Sequence, residues 1–489
     1  MLMLCTIFLP MIAGILIPVW KFSSRQPRQN YAVGAACITS AMALITMFAK
    51  TGDSAFVLLR LNDALSLSLR IDGLSIIFAT MVSLLWPLAC LYAAEYMSHE
   101  GGEDRFFMFY LIAFGVTIGI AFSANMLTMY FFYELLTLVT LPLVMHSMDG
   151  KARYAGRVYL VYSMGGAALG FISMVFVLQN GGTMFHFGGA ISSAAIQNEN
   201  IFLIAYVLGF FGFGVKAAVF PGYKWLLRAS VAPTPVTALL HAVAVVKAGV
   251  FAVVRLTWYS FGPEMIQNTW AQNVVMAAAV FTIVFGSVRA LQTKHLKRRL
   301  AWSTISNLSY VLLGVVTLTT AGLVAALTHM VFHAVLKITL FYGVGAIHYK
   351  VHRDFVPDIE GFGALMPIVF STFTIAGLGL MGVPPLSGFS SKWMLATSCV
   401  ELKTSLGYLG AIALIVSAIL TALYLLQVVL LAFFPRQTRP ISVKIPKQDR
   451  CDPGLCMTVP LIVLTIASVV LGFGASSLAQ LIQQLILLL

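Results

Sequence analysis

The sequence predicts an all-α polytopic membrane protein with about fourteen transmembrane helices. Three observations predict it. Of 489 residues, 60% are hydrophobic and 10% charged, with a mean hydropathy of +0.93, which does not describe a water-soluble chain. Apolar runs of about 20 residues recur almost from end to end, the length at which a helix crosses hydrocarbon with its backbone polar groups paired internally. The basic residues, finally, are sorted by loop parity.

Taken in order, the expected spans are 2–20, 30–49, 72–95, 106–123, 125–147, 155–179, 201–226, 235–257, 270–290, 298–318, 322–348, 364–396, 407–433 and 458–488. The first carries no Lys or Arg at its amino end, and no small-residue cleavage site precedes Lys21, so it reads as a helix and not as a secretory leader.

A net charge of +13 would suggest nucleic acid for a soluble protein, so the positions of the 30 Lys and Arg residues decide its meaning. Loops joining odd to even spans hold 21 of them, from Lys21, Arg25 and Arg28 through Lys294, Lys297, Arg298 and Arg299 to Arg450. Loops of the other parity hold five: Lys50, Arg60, Arg70, Arg255 and Lys403. By the positive-inside rule the first set faces the cytoplasm and both termini lie on the other side of a cell (inner) membrane. The bilayer is then the partner of the charge, with no nucleic acid implied.

Cys5, Cys37, Cys90 and Cys399 sit in apolar stretches and pack as small hydrophobes, while Cys451 and Cys456 lack C-x-x-C spacing. No metal site, P-loop, haem-attachment motif or dinucleotide fingerprint is present, so no cofactor is expected on this chain. Any coupled redox chemistry falls to partner chains.

Four cations remain within apolar spans: Lys216, Lys247, Lys337 and Lys392. At mid-membrane each costs about 2.5–3.5 kcal/mol, roughly 10–14 kcal/mol together if nothing relieves them. A basic group held at that depth can exchange its proton, which suits a relay. Glu134, in Met129-Tyr-Phe-Phe-Tyr-Glu134, is the acidic residue well inside a span, and pairing it with a lysine offers a switch. His329, His333 and Lys337 are four apart and form a stripe on one helix face. His241 precedes Lys247 by six residues on an otherwise apolar helix. Gly212, Gly214, Pro221 and Gly222 around Lys216, and Gly382, Pro384, Pro385 and Gly388 before Lys392, predict two broken helices, a signature of ion sites in transporters.

On these residues the sequence resembles the antiporter-like proton-translocating subunits shared by respiratory complex I, Mrp-type Na+/H+ antiporters and energy-converting membrane-bound hydrogenases. The resemblance covers most of the chain. It rests on Gly214-Val-Lys216-Ala-Ala-Val-Phe-Pro221, on Ala232-Pro-Thr-Pro235 running through His241 to Lys247-Ala-Gly249, on Leu296-Lys-Arg-Arg-Leu-Ala-Trp-Ser-Thr-Ile-Ser306, and on Gly382-Val-Pro-Pro-Leu-Ser-Gly-Phe-Ser-Ser-Lys392.

The resemblance implies two inverted five-helix repeats, each with a broken helix. The division is residues 1–105 (spans 1–3), 106–257 (spans 4–8), 258–433 (spans 9–13) and 434–489, a basic loop and last helix. It implies that Glu134 pairs with Lys216, that Lys247 begins a central axis continued by His329, His333 and Lys337 with His241 beside it, and that Lys392 completes the exit. Tyr223, Leu227 and His295 depart from the usual pattern, and Tyr223 and His295 stand as accessory candidates; Lys392 fits Mrp or hydrogenase members or other complex I paralogues. The implied function is proton translocation, with exchange for Na+ open, beside other membrane subunits that include antiporter-like paralogues. The parent stays open between a ferredoxin- or NADH-linked oxidoreductase and an Mrp-type antiporter. The competing readings are a cytochrome b-like protein with His241, His329 and His333 on haem, which leaves the lysines unexplained, and a structural membrane anchor.

Overall fold

The computed structural model describes residues 1–20, 22, 24–49, 55–62, 65–435 and 451–487. Most of these are helical. Helices α1 (Leu2–Trp20) and α2 (Arg25–Phe48) lead to a two-stranded antiparallel hairpin, β1 (Phe56–Arg60) and β2 (Ser66–Leu69). Then follow α3 (Gly73–Tyr96), α4 (Glu103–Ala121), α5 (Met126–Val144) and α6 (Gly150–Gln179). The hairpin was not expected. Its alternation over Ser66-Leu-Ser-Leu69 is too short to stand out beside long apolar runs.

Helices start where a side chain can satisfy the first free N–H groups. Asp72 accepts from Ser75 N, Asn125 from Thr128 N, Asp149 from Ala152 N, Thr319 from Gly322 N and Thr404 from Gly407 N. These caps separate spans that hydropathy alone runs together, such as α4 and α5.

Both anticipated breaks are present. Helix α7 (Glu199–Gly214) stops before Lys216, and after the Phe220–Pro221 turn the short α8 (Lys224–Ala229) resumes. The second break separates α13 (Pro367–Met381) from α14 (Ser387–Glu401) at Gly382, whose φ of +94° suits glycine. Between them lie α9 (Thr234–Phe261), α10 (Trp270–Gln292), α11 (Leu296–Val316) and α12 (Thr320–Val351). The order ends with α15 (Ser405–Phe433), α16 (Leu455–Phe473) and α17 (Ala475–Leu487).

Eleven described helices are long and apolar enough to cross a membrane. The fourteen expected spans exceed this number for physical reasons. Two are the broken helices, whose pieces are each too short, and one is α11, which carries Lys297, Arg298 and Arg299 in its first turn. The last expected span, 458–488, is not one helix: it divides at Gly474 into α16 and α17. The expected basic loop at 436–450 lies outside the described residues, as do Lys21 and Lys50.

Two helices form the centre. The most apolar window of α9 is entirely buried and that of α12 is 94% buried, against 33% for α15. Helix α15 turns Ile412, Ile415, Ile419 and Leu423 outward at helical spacing, an apolar face suited to lipid. Three loop assignments of charge near the centre need correction. Arg255, placed in a loop from the sequence, is fully buried near the end of α9 and paired with Asp72. Lys297 and Arg299 are likewise buried instead of solvent-facing.

Candidate functional site

Lys216, Lys247, Lys337 and Lys392 are all buried, with no more than 9% exposure. A lysine in an apolar interior requires partners. Lys216 lies in the first break, where the chain has left the helical ladder. Its Nζ donates to the Tyr133 carbonyl, sits 3.3 Å from the centroid of the Tyr133 ring and lies 3.4 Å from Glu134 Oε1. The Glu134 side chain is 26% exposed and that of Lys216 only 1%. The pair therefore joins the surface to the interior. The break is held in shape by Trp225 Nε1, which donates to the Val215 carbonyl at 2.7 Å, and by Phe220 N, which donates to Thr282 Oγ1 at 3.1 Å.

Helix α9 packs directly on this break. A Cβ on Gly249 would collide with Ala217 N and lie 2.7 Å from Lys216 C and 2.9 Å from Lys216 Cβ, so only glycine permits the approach. Lys247, two residues earlier, is thereby set between the break and α12.

From Lys247 a series of neighbouring titratable side chains runs toward the second break. Lys247 Nζ is 2.8 Å from His333 Nδ1. The His333 and His329 ring centroids are 6.1 Å apart, one helical turn along α12. His329 Nδ1 is 2.9 Å from Ser391 Oγ, and the His329 ring stacks on Tyr310 at 5.3 Å. Lys392, next in sequence to Ser391, lies 5.4 Å from the Tyr310 ring centroid and donates to the carbonyls of Leu380 at 2.6 Å and Met381 at 3.1 Å. Those carbonyls end α13, where the helix leaves them free. The second break thus supplies acceptors for an ammonium.

Not every expected residue joins this series. Lys337 donates to the Leu300 carbonyl of α11 at 3.0 Å and makes no side-chain hydrogen bond to His333. His241 packs against Phe341 at 4.9 Å between centroids, and among the described residues neither of its ring nitrogens makes a well-formed hydrogen bond. The Nε2 atoms of His329 and His333 and the Oδ1 of Asn307 are also buried and unpartnered. Buried polar atoms are usually hydrogen-bonded, so these atoms leave capacity for further hydrogen bonds in this region. Tyr223 and His295 stand apart. Tyr223 packs on Phe285 and Trp302, and His295 packs on Phe355 beside the α10–α11 turn.

A family model described as NADH:quinone oxidoreductase/Mrp antiporter, TM matches residues 123–421, more than half of the chain and every site residue from Glu134 to Lys392. The chain belongs to this family. A second model, NADH-Ubiquinone oxidoreductase (complex I), chain 5 N-terminus, matches residues 61–107. Among curated relatives, the A1 subunit of an Na(+)/H(+) antiporter from Staphylococcus haemolyticus is 28% identical over 97% of this chain and 61% of its own length. A probable K(+)/H(+) antiporter subunit of the A/B type from Rhizobium meliloti is 28% identical over 94% of this chain and 46% of its own. The chain therefore spans about 60% or less of these relatives.

Solved structures share the fold over nearly the whole chain. An archaeal membrane-bound sulfane sulfur reductase chain superposes with a TM-score of 0.84 at 20% identity, covering 99% of this chain and 96% of that one. A chain of the Mrp complex from Dietzia sp. gives 0.83 at 21% identity, covering 99% and 52%. Respiratory complex I from Thermus thermophilus gives 0.83 at 20% identity, covering 99% and 98%. All three are chains of membrane complexes.

Sequence reasoning missed several residues of this candidate site. Tyr133 and Ser391 are sequence neighbours of Glu134 and Lys392, so their proximity was available in principle. Tyr310, the Leu300 carbonyl and Gly249 enter through contacts between helices, for which a single sequence carries no signal.

Proposed function

We propose that this chain conducts protons across the membrane as the antiporter-like subunit of a multi-subunit complex. One observation carries the reading: a buried series of titratable side chains, Lys247, His333, His329 and Lys392, neighbours in that order with Ser391 and Tyr310 beside the last two, and the Glu134–Lys216 pair at its surface-facing end. In this reading Glu134 holds the Lys216 ammonium while charged and releases it when protonated, and the change reaches Lys247 through the Gly249 contact. The imidazoles of His333 and His329 then pass protons between Lys247 and Lys392, each ring accepting at one nitrogen and donating at the other.

The division into repeats at 106–257 and 258–433 belongs to this proposal, as do the cell-membrane location with both termini non-cytoplasmic and the company of antiporter-like paralogues. The names of the relatives join protons to Na+ or K+. Whether either cation moves here is settled by transport: the complex in proteoliposomes, with a pH gradient read by an entrapped dye, is compared with and without Na+ or K+. Lys216→Ala and Glu134→Ala should each abolish or strongly reduce proton movement while the complex still assembles. Normal pumping by both variants removes the pair from the mechanism.

A further inference from the structure

Outside the polar line, a strongly basic concavity lies where the start of α6, the α8 segment and the α10–α11 turn meet. It is a cavity of about 690 Å³, within the size range of roughly 300–1,000 Å³ typical of ligand pockets. Lys151, Lys224, Arg228, Arg289 and Arg298 line it, and among the described residues no carboxylate does. The nearby Asp149 is engaged in capping α6 through Ala152 N. Five cations around one concavity repel one another and concentrate anions; the same field repels Na+ or a hydrated proton, so this is not a cation entrance.

The wall above the cations is apolar. Phe281, Phe285 and Arg289 are four apart on α10, so they form one stripe about 12 Å long with the charge at its end. Phe220 packs on both phenylalanines, at 4.9 and 5.9 Å between centroids, and both Phe220 and Phe281 keep large exposed faces. Trp302 lies beneath the Arg289 guanidinium at 5.5 Å, and Tyr154 beneath that of Arg228 at 5.4 Å, so both charges are held at the rim of the basin. An anionic head and an adjoining apolar tail would each meet a matching surface.

We infer that this basin is a binding site for an anionic phospholipid, its phosphate among Arg228, Arg289 and Arg298 and an acyl chain along Phe281 and Phe285. Basic pockets between membrane helices take such headgroups, and each cation near the surface contributes about fivefold in affinity. A free phosphate would use the cations but not the phenylalanines. An acidic segment of a neighbouring protein in the complex would exclude lipid from the assembled state.

The test is native mass spectrometry of the complex, as purified and after delipidation with re-addition of defined lipids. A phosphatidylglycerol or cardiolipin adduct should survive on this chain in the complex, with phosphatidylcholine binding at least tenfold more weakly. The Arg228→Gln/Arg289→Gln/Arg298→Gln variant should lose roughly a hundredfold in affinity, and Arg289→Gln alone about fivefold. The Lys294→Gln/Lys350→Gln control, with the same kind of charge removed at neighbouring exposed positions, should bind as the parent does. Equal binding of phosphatidylcholine overturns the proposal, as does unchanged binding by the Arg289→Gln variant. Displacement by millimolar inorganic phosphate makes this a phosphate site and overturns it. An adduct on the isolated chain that is absent from the assembled complex assigns the surface to a partner and overturns it too.

Discussion

Lys247 Nζ and His333 Nδ1 approach to 2.8 Å across the interface of the buried helices α9 and α12, 86 residues apart in sequence. An ammonium there donates to Nδ1, which places the imidazole proton on the unpartnered Nε2. Proton transfer along α12 then requires both groups. Lys247→Ala and His333→Ala should each lower proton translocation by roughly a hundredfold, the usual scale for loss of a positioned acid–base group. The double variant should fall little further, because each single variant already interrupts the same contact. Initial rates in proteoliposomes check this; additive losses in the double variant would place the two residues on separate routes.

The Glu134–Lys216 pair makes a different prediction, because its carboxylate is partly open and its ammonium closed in. Glu134→Gln removes the charge but leaves Lys216 its contacts with the Tyr133 carbonyl and ring, so the complex should assemble. Transport should drop at least tenfold, reflecting the lost switch. Glu134→Asp, which keeps the charge and shortens the reach, should recover part of the rate. A Glu134→Gln variant at full rate would leave the pair as a register device alone.

The lysines were legible because charge in an apolar run has nowhere to hide, and the two breaks were legible because Pro221, Pro384 and Pro385 sit among glycines where helices should continue. The Glu134–Lys216 pairing came only through family resemblance. What joins the site was not legible: Ser391 meets His329, and Tyr310 meets Lys392, only after helices rotate into packing positions that hydropathy does not encode. Arg255 was misplaced for a related reason. Near the end of an apolar window an arginine looks like a loop flank, and Asp72, which makes its burial tolerable, is 183 residues away.

Gly249 tests the coupling between the first break and α9. Gly249→Ala drives a methyl group into Ala217 N and within 2.7 Å of Lys216 C, and backbone cannot swing aside as a side chain can. The cost should be about 1–3 kcal/mol of stability, together with slower transport as Lys247 shifts. Gly34→Ala, in a helix interior where nothing lies within 4 Å of the new methyl, should leave transport unchanged and stability equal or slightly higher. Thermal unfolding in detergent and transport assays read the two effects; a fully active Gly249→Ala would show that the close approach has no part in conduction.

His146, just beyond the end of α5, predicts a pH dependence of stability. Burial is the main cause that holds its imidazole below the ordinary 6.5; the Gly101 carbonyl 2.9 Å from Nε2 and Glu100 oppose this, and Arg105 adds to it. The unfolded chain therefore binds the proton first as pH falls. Stability contributed by this junction is full above about 6.5, declines as pH drops toward the lower folded value, and levels off below it. Amide protection factors of residues 100–106 and 145–152, corrected for the intrinsic pH dependence of exchange, should fall between pH 7.5 and 5.5, and His146→Gln should flatten that response. The same pH slope in both proteins would assign the change to another group.

Asp72 and Arg255 tie the start of α3 to the far end of α9: the guanidinium donates to both carboxylate oxygens, to Oδ1 at 2.8 Å, and Ser75 Oγ accepts a third bond from it at 3.1 Å. Phe185, Phe251 and Tyr259 surround the guanidinium, with centroids 4.5–5.1 Å away. Removing one partner strands a charge in this apolar shell, so Asp72→Leu or Arg255→Met should each cost about 3–5 kcal/mol. Removing both leaves no stranded charge, and the double variant should be more stable than either single one. Arg255 lies eight residues beyond Lys247 on the same helix, so the single variants should also slow transport by loosening the placement of Lys247. Unfolding temperatures of the four proteins decide the matter: a double variant as unstable as the sum of the two singles would mean that the pair is not energetically coupled.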